Sequence, residues 1–172
     1  YIDYDHAQAN AESMYSNANV ESGLITGTQW DVIMKWIENS GYNVRTDSSS
    51  FGNYANTIWT TSAMDDCSDY NIGNNWTSGT KGVADPSLGF SVYMKNIALF
   101  KTGSATTIAN NIYDIAGNAG EWTSEMHSTN RVIRGGAASS NSYECPATYR
   151  MSRDMAMNND VVTSFRVALY LK

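Results

Sequence analysis

The chain has 172 residues, 42% of them hydrophobic, and a net charge of −6, a length that supports one domain with a real core and is short for two. Its eleven Lys and Arg do not gather into the basic patch that a nucleic-acid partner demands, and no stretch approaches the roughly 20 apolar residues of a membrane span. Only 16% of the residues are charged while Asn, Ser, Thr, Gly and Tyr abound; antibody binding loops draw on the same residue types, and so does the low-charge surface of a secreted or virion protein.

Residues 5–16 put Ala7, Ala11, Met14 and Tyr15 on one helical face, with Asp3 or Asp5 as cap, and predict a packing helix. No signal peptide stands before it, and Tyr1 already lies at the edge of the helix pattern, so the sequence reads as the C-terminal part of a longer protein. Thr26 and Gln29 form a capping box. From it a second helix runs to about Ser40, burying Trp30, Ile33, Met34 and Ile37, pairing Asp31 with Lys35 outside and ending at Gly41. Residues 43–110 are polar and glycine-punctuated, which predicts long ordered loops tied down by Trp59, Trp76 and Phe90, with a short strand at 91–94. Asp65, Asp66 and Asp69 either hold a cation or are simply solvated.

The run 111–136, NIYDIAGNAGEWTSEMHSTNRVIRGG, crowds Asp114, Gly117, Asn118, Glu121 and Trp122 into nine residues. That mixture of turn formers, carboxylates and a large aromatic describes an ordered loop. Its glycines permit backbone geometry closed to other residues, and its carboxylates suit a hard cation such as calcium; a tight turn with Trp122 as a core plug is the plainer reading. Residues 131–134 enter Gly135-Gly136 as a strand. The last strand alternates, with Phe165, Val167, Leu169 and Leu171 turned inward and Arg166, Ala168 and Tyr170 outward. Between these strands, 137–163 has no sustained period and is expected at the surface.

YDIAGNAGEWTSE, followed by RVIRGG and by SFRVALYLK near the end, resembles the signature of the formylglycine-generating-enzyme (sulfatase-modifying factor) family, a variant of the C-type lectin fold. YDHAQANAESM, GLITGTQWDVIMKWI and FGNY are similar, in order, to the family's first helix, its second helix and its WGN turn, so the resemblance covers nearly the whole chain. It implies an α+β fold over 1–172 as a single domain, with two helices packed on a small twisted antiparallel sheet and long ordered loops. It also implies a structural calcium held by Asp114, the carbonyls of Gly117 and Ala119, and Glu121.

The family's oxidases bind copper through two cysteines five positions apart. Counted from RGG, Cys145 falls on the second position and Ser140 on the first. A hydroxyl is a poor ligand for Cu(I), so no copper and no catalysis are expected unless Cys67 supplies the missing thiolate. Whether Cys67 and Cys145 pair as a disulfide stays open at this level. His6 and His127 cannot build an iron site, no G-x-S-x-G elbow occurs, and each histidine reads as a surface or capping residue.

Within the family the chain most resembles the non-catalytic variable proteins that retroelements diversify in bacteria and their phages, which carry their variable residues between RGG and GFR. The resemblance implies a ligand-binding domain at a bacterial cell surface, secreted or on a phage virion. It would contact a protein or other macromolecule through 137–163, with neither nucleic acid nor membrane insertion involved. The ligand-facing residues would be Ala138, Ser140, Ser142, Glu144, Cys145, Tyr149, Met151, Ser152, Asp154, Met155 and Met157, with Pro146, Ala147, Tyr149 and Arg150 as the fixed-looking positions among them; the methionines suit an adaptable contact. Two departures stand against it: Met and Glu are not reached from mutated Asn codons, and Ser164 replaces the family's Gly. Copper oxidation of cysteine side chains and a plain structural module of a surface or phage protein are the alternatives.

Overall fold

A computed structural model describes residues 2–57, 99–155 and 163–172, and these form an α+β fold with antiparallel and mixed sheets. Helix α1 (Tyr4–Ser13) starts at Asp3, the cap, whose carboxylate accepts from the His6 amide at 2.9 Å and contacts the exposed His6 ring. It buries Tyr4, Ala7 and Ala11. The predicted continuation to residue 16 does not form, because Tyr15 pairs with Ser22 of strand β1 (Val20–Leu24): the Ser22 amide donates to the Tyr15 carbonyl and the Tyr15 amide to Ser22 Oγ, each at 2.8 Å. Met14 and Tyr15 are exposed as a result, and Tyr4 joins the core in their place.

Helix α2 (Gly27–Asn39) follows the reciprocal capping box of Thr26 and Gln29. It buries Trp30, Met34 and Ile37, keeps Ile33 half-buried, and ends at Gly41 with φ +93°. Asp31 does not pair with Lys35. It reaches Arg134, while Lys35 meets Glu38 at 3.4 Å; a buried guanidinium has the stronger claim on a carboxylate than a solvated ammonium.

A small hairpin of β2 (Ile108–Ala109) and β3 (Ile112–Tyr113) precedes the main sheet. That sheet holds β4 (Gly120–His127), β5 (Asn130–Arg134), β6 (Arg150–Arg153) and β7 (Thr163–Phe165) in the order β6-β5-β4-β7. The expected antiparallel pairing holds from β4 to β6, but β7 runs parallel to β4 and makes the sheet mixed. Side-chain alternation divides its two faces. Trp122, Ile133 and Met151 turn to α1, where Tyr4 meets Trp122 edge-on at 5.8 Å between ring centroids. Arg134, one residue beyond Ile133, turns instead to Trp30 and Asp31 of α2. A second cluster under α2 joins Trp30, Met34 and Ile37 to Phe51, Tyr54 and Ile115.

Strand β8 (Val167–Leu171) pairs antiparallel with β1 and ties the two ends of the described chain together. The inward stripe predicted for it is only half realised. Phe165 and Val167 pack on the α1 cluster, but Leu169 and Leu171 are exposed, because this two-stranded ribbon has no layer over its far end among the described residues. Tyr170, expected outside, is half-buried and donates its hydroxyl to the Leu24 carbonyl. Trp59, Trp76, Phe90, Asp65, Asp66, Asp69, Cys67, Met157 and the strand expected at 91–94 lie outside the described residues. Among those described, no helix is long and apolar enough to cross a membrane.

Candidate functional site

Two glycine-bearing loops build the region below and around the RGG turn. In the lower one Asp114, Gly117 and Asn118 adopt φ of 55°, 64° and 57°, the left-handed region that Asn, Asp and Gly tolerate best. Gly117 has no alternative, since a Cβ there would run into the Asn53 backbone. The Gly117 amide donates to the Gly135 carbonyl at 2.7 Å, and the Asn118 side chain accepts from Asn53 Nδ2 and the Phe100 amide while donating to the Phe100 carbonyl.

The two carboxylates expected to hold calcium have protein partners in this arrangement. Asp114 accepts from the Thr107 hydroxyl and, at 2.9 Å, from the Gly103 amide. Both oxygens of buried Glu121 accept from Arg166, at 2.8 Å from Nε and 2.7 Å from Nη2. Burial pushes the Glu121 carboxyl above its ordinary value and Arg166 pulls it back. Asp114, Ala119 and Glu121 line one cavity of about 700 Å³, and Arg166 stands in its wall. A calcium ion taking Glu121 as ligand would have to displace that guanidinium, so the residues as arranged do not fit the ion.

The upper segment begins where Gly135 and Gly136, at φ 89° and 72°, reverse the chain; a Cβ on Gly136 would strike the Cys145 carbonyl and the Tyr54 ring. Residues 137–149 are then pinned to 44–56 at several points. The Ala55 amide donates to the Ser140 carbonyl at 2.9 Å, the Ser142 amide to Asn56 Oδ1 at 2.8 Å, and Ser142 Oγ to Asp47 at 2.6 Å. The Ala147 amide donates to Ser48 Oγ, the Ala147 carbonyl accepts from Trp30 Nε1 at 3.0 Å, and the Thr148 amide donates to the Val44 carbonyl. What is left over faces solvent: Tyr143, at 59%, and Glu144 are exposed, and Asn141 donates to the Glu144 carboxylate.

Several residues expected to face a ligand do not. Ala138 is buried beside Ala119, and Ser142 is fully buried because its hydroxyl and amide serve the pinning contacts. Met151 and Met155 are half-buried against the α1 cluster, where the alternation of β6 sends Met151 alongside Ile133. Glu144, Ser152 and Asp154 are exposed as expected, and Ser140, Cys145 and Tyr149 are half-buried. These last three lie together, and burial, opposed by the neighbouring Ser140 side chain, raises the Cys145 thiol above its ordinary value. Tyr143 escaped the sequence reading, and Arg150 entered it only as a fixed-looking position. Once Ser142 is known to point inward, its neighbour Tyr143 must point out, but the inward turn itself depends on Asp47 and Asn56, far away in sequence.

Comparison with protein-family models, with curated proteins and with solved structures finds no match to this chain.

Proposed function

We propose that this chain is a non-catalytic ligand-binding domain of C-type lectin type, akin to the retroelement-diversified variable proteins of the formylglycine-generating-enzyme family, and that it presents 137–163 to a protein or other macromolecule from a cell surface, a secreted protein or a phage particle. One observation carries the reading. Within 137–149 the inward residues are held by hydrogen bonds from 44–56, while Tyr143 and Glu144 stand out and Ser140, Cys145 and Tyr149 border them. Such a segment can change its outer side chains without losing the contacts that shape it, and an exposed Tyr offers contact area at low entropy cost. Ser140 beside Cys145 offers one thiol and one hydroxyl where a Cu(I) site asks for two sulfurs.

Sequencing sister copies of the gene tests this. Substitutions concentrated at 137–163, above all at outward positions, support a diversified binder; an even spread along the chain means a structural module instead. Aldehyde formed from a cysteine-containing peptide in the presence of copper would establish the oxidase and end the non-catalytic reading.

A further inference from the structure

Four charged side chains run from α2 to the first residue of β6, and their hydrogen bonds do not balance. Asp31, 67% exposed, accepts from Nη2 of Arg134, which is itself only 1% exposed. Beyond lies Glu125, 16% exposed, boxed in by Gly27, where a Cβ would strike its carboxylate. One oxygen of Glu125 is taken by Nη2 of Arg150, whose side chain is 56% exposed. The other, Oε2, stops 3.8 Å from Arg134 Nη1, beyond hydrogen-bond reach. Among the described residues, Glu125 Oε2 and Arg134 Nε and Nη1 are buried with no hydrogen-bond partner. Buried donors and acceptors are seldom left so, and here one of each faces the other across a short gap.

We propose that Arg150 is the residue of this surface that takes an oxyanion of the partner, with Glu125 holding its guanidinium beforehand and closing onto Arg134 once Arg150 is engaged. The inference rests on 137–155 being a contact surface. Arg150 directly follows Tyr149 and shares a face of β6 with exposed Ser152, and its forked guanidinium matches a carboxylate or a phosphate in two hydrogen bonds. Taking one member from a partly buried ion pair ordinarily strands the other. Arg134 removes that obstacle, because the carboxylate that loses Arg150 has the unmet Nη1 of Arg134 only 3.8 Å away. The competing account is a plain structural brace, in which Glu125 orients Arg150 and nothing is exchanged.

The two accounts differ in sign for Glu125→Gln. The full chain is titrated with a capped hexaglutamate peptide or with inorganic phosphate, and the arginine Nε–Hε signals are followed by NMR. Under the proposal the Arg150 signal moves, the Arg134 signal moves with it, and Glu125→Gln lowers the half-saturating concentration by about threefold, the scale of one weak ion pair removed. Arg150→Gln abolishes the effect, and Arg150→Lys, which keeps the charge but not the fork, weakens it. A response to the peptide alone identifies protein carboxylates as the target, and a response to both probes identifies oxyanions generally. No movement of Arg150 with either probe, an unmoved Arg134, or equal or weaker binding by a folded Glu125→Gln variant overturns the proposal. Sister-copy sequences test the underlying contact surface without involving Arg150, so the two readings fail separately.

Discussion

The loop around 111–121 and the segment 137–149 are made of the same material, polar residues with few charges entered through glycine turns, yet they hold it in opposite ways. In the lower loop the polar side chains turn inward and are met: Asp114 by Thr107 and Gly103, Asn118 by Asn53 and Phe100, Glu121 by Arg166. In the upper segment only some positions are met, Ser142 by Asp47 and Asn56 and the Ala147 amide by Ser48, and Tyr143 and Glu144 are left to solvent. Composition therefore does not separate frame from display. The location of the hydrogen-bond partner does, because a buried polar group must be paired.

The comparison breaks most readily at Arg166. Replacing it with Ala leaves Glu121 buried without its cation, a loss of about 3 kcal/mol or more, or roughly 10 °C of melting temperature in a domain of this size. A chelator added to the unaltered protein is expected to leave the melting temperature unchanged. A chelator-induced fall, reproduced by Asp114→Ala, would return calcium to this loop and end the view that its cation is an arginine.

Ser142→Ala is expected to cost less, about 1 to 2 kcal/mol, by removing a buried hydroxyl that serves Asp47 and Asn56. It also carries a pH signature. The Ser142 hydroxyl, and after it the Ser49 amide, hold the Asp47 carboxyl below its ordinary value of 3.8. A depressed folded value means that this contribution is full above pH 4 and is lost as pH falls through and below that value. Acid unfolding curves of Ser142→Ala should accordingly show a weaker dependence in that window than those of the parent, and identical curves would remove Asp47 from the frame.

Much of the frame was legible in the sequence because it rests on local chemistry. The capping box of Thr26 and Gln29, the buried stripe of Trp30, Met34 and Ile37, the stop at Gly41 and the strand leading into Gly135-Gly136 each follow from residues within a few positions of one another. The errors share one cause, a partner on another element. Ser22 ends α1 early by claiming Tyr15, Arg134 draws Asp31 from Lys35, and the ribbon with β1 leaves Leu169 and Leu171 uncovered. The display segment suffered most. Its inward and outward positions are set by Asp47 and Asn56, more than eighty residues away in the chain, so no periodicity within 137–149 reveals that Ser142 is frame and Tyr143 is display.

The smallest change in stability and the sharpest test of the division falls at Tyr143. It is 59% exposed, and among the described residues no hydrogen bond or ring contact ties its side chain to the frame. Tyr143→Ala should therefore move the folding free energy by less than about 0.5 kcal/mol, the range of ordinary surface substitutions. Its neighbour Ser142 should show several times that effect in the same chemical denaturation series. If Tyr143 is a contact residue, sister copies should vary at 143 and keep Ser142, since the frame tolerates any side chain at the first and only a small hydrogen-bonding one at the second. Comparable destabilisation at both positions would mean that the segment is packed throughout, and the contrast between a pinned and a presented residue would be lost.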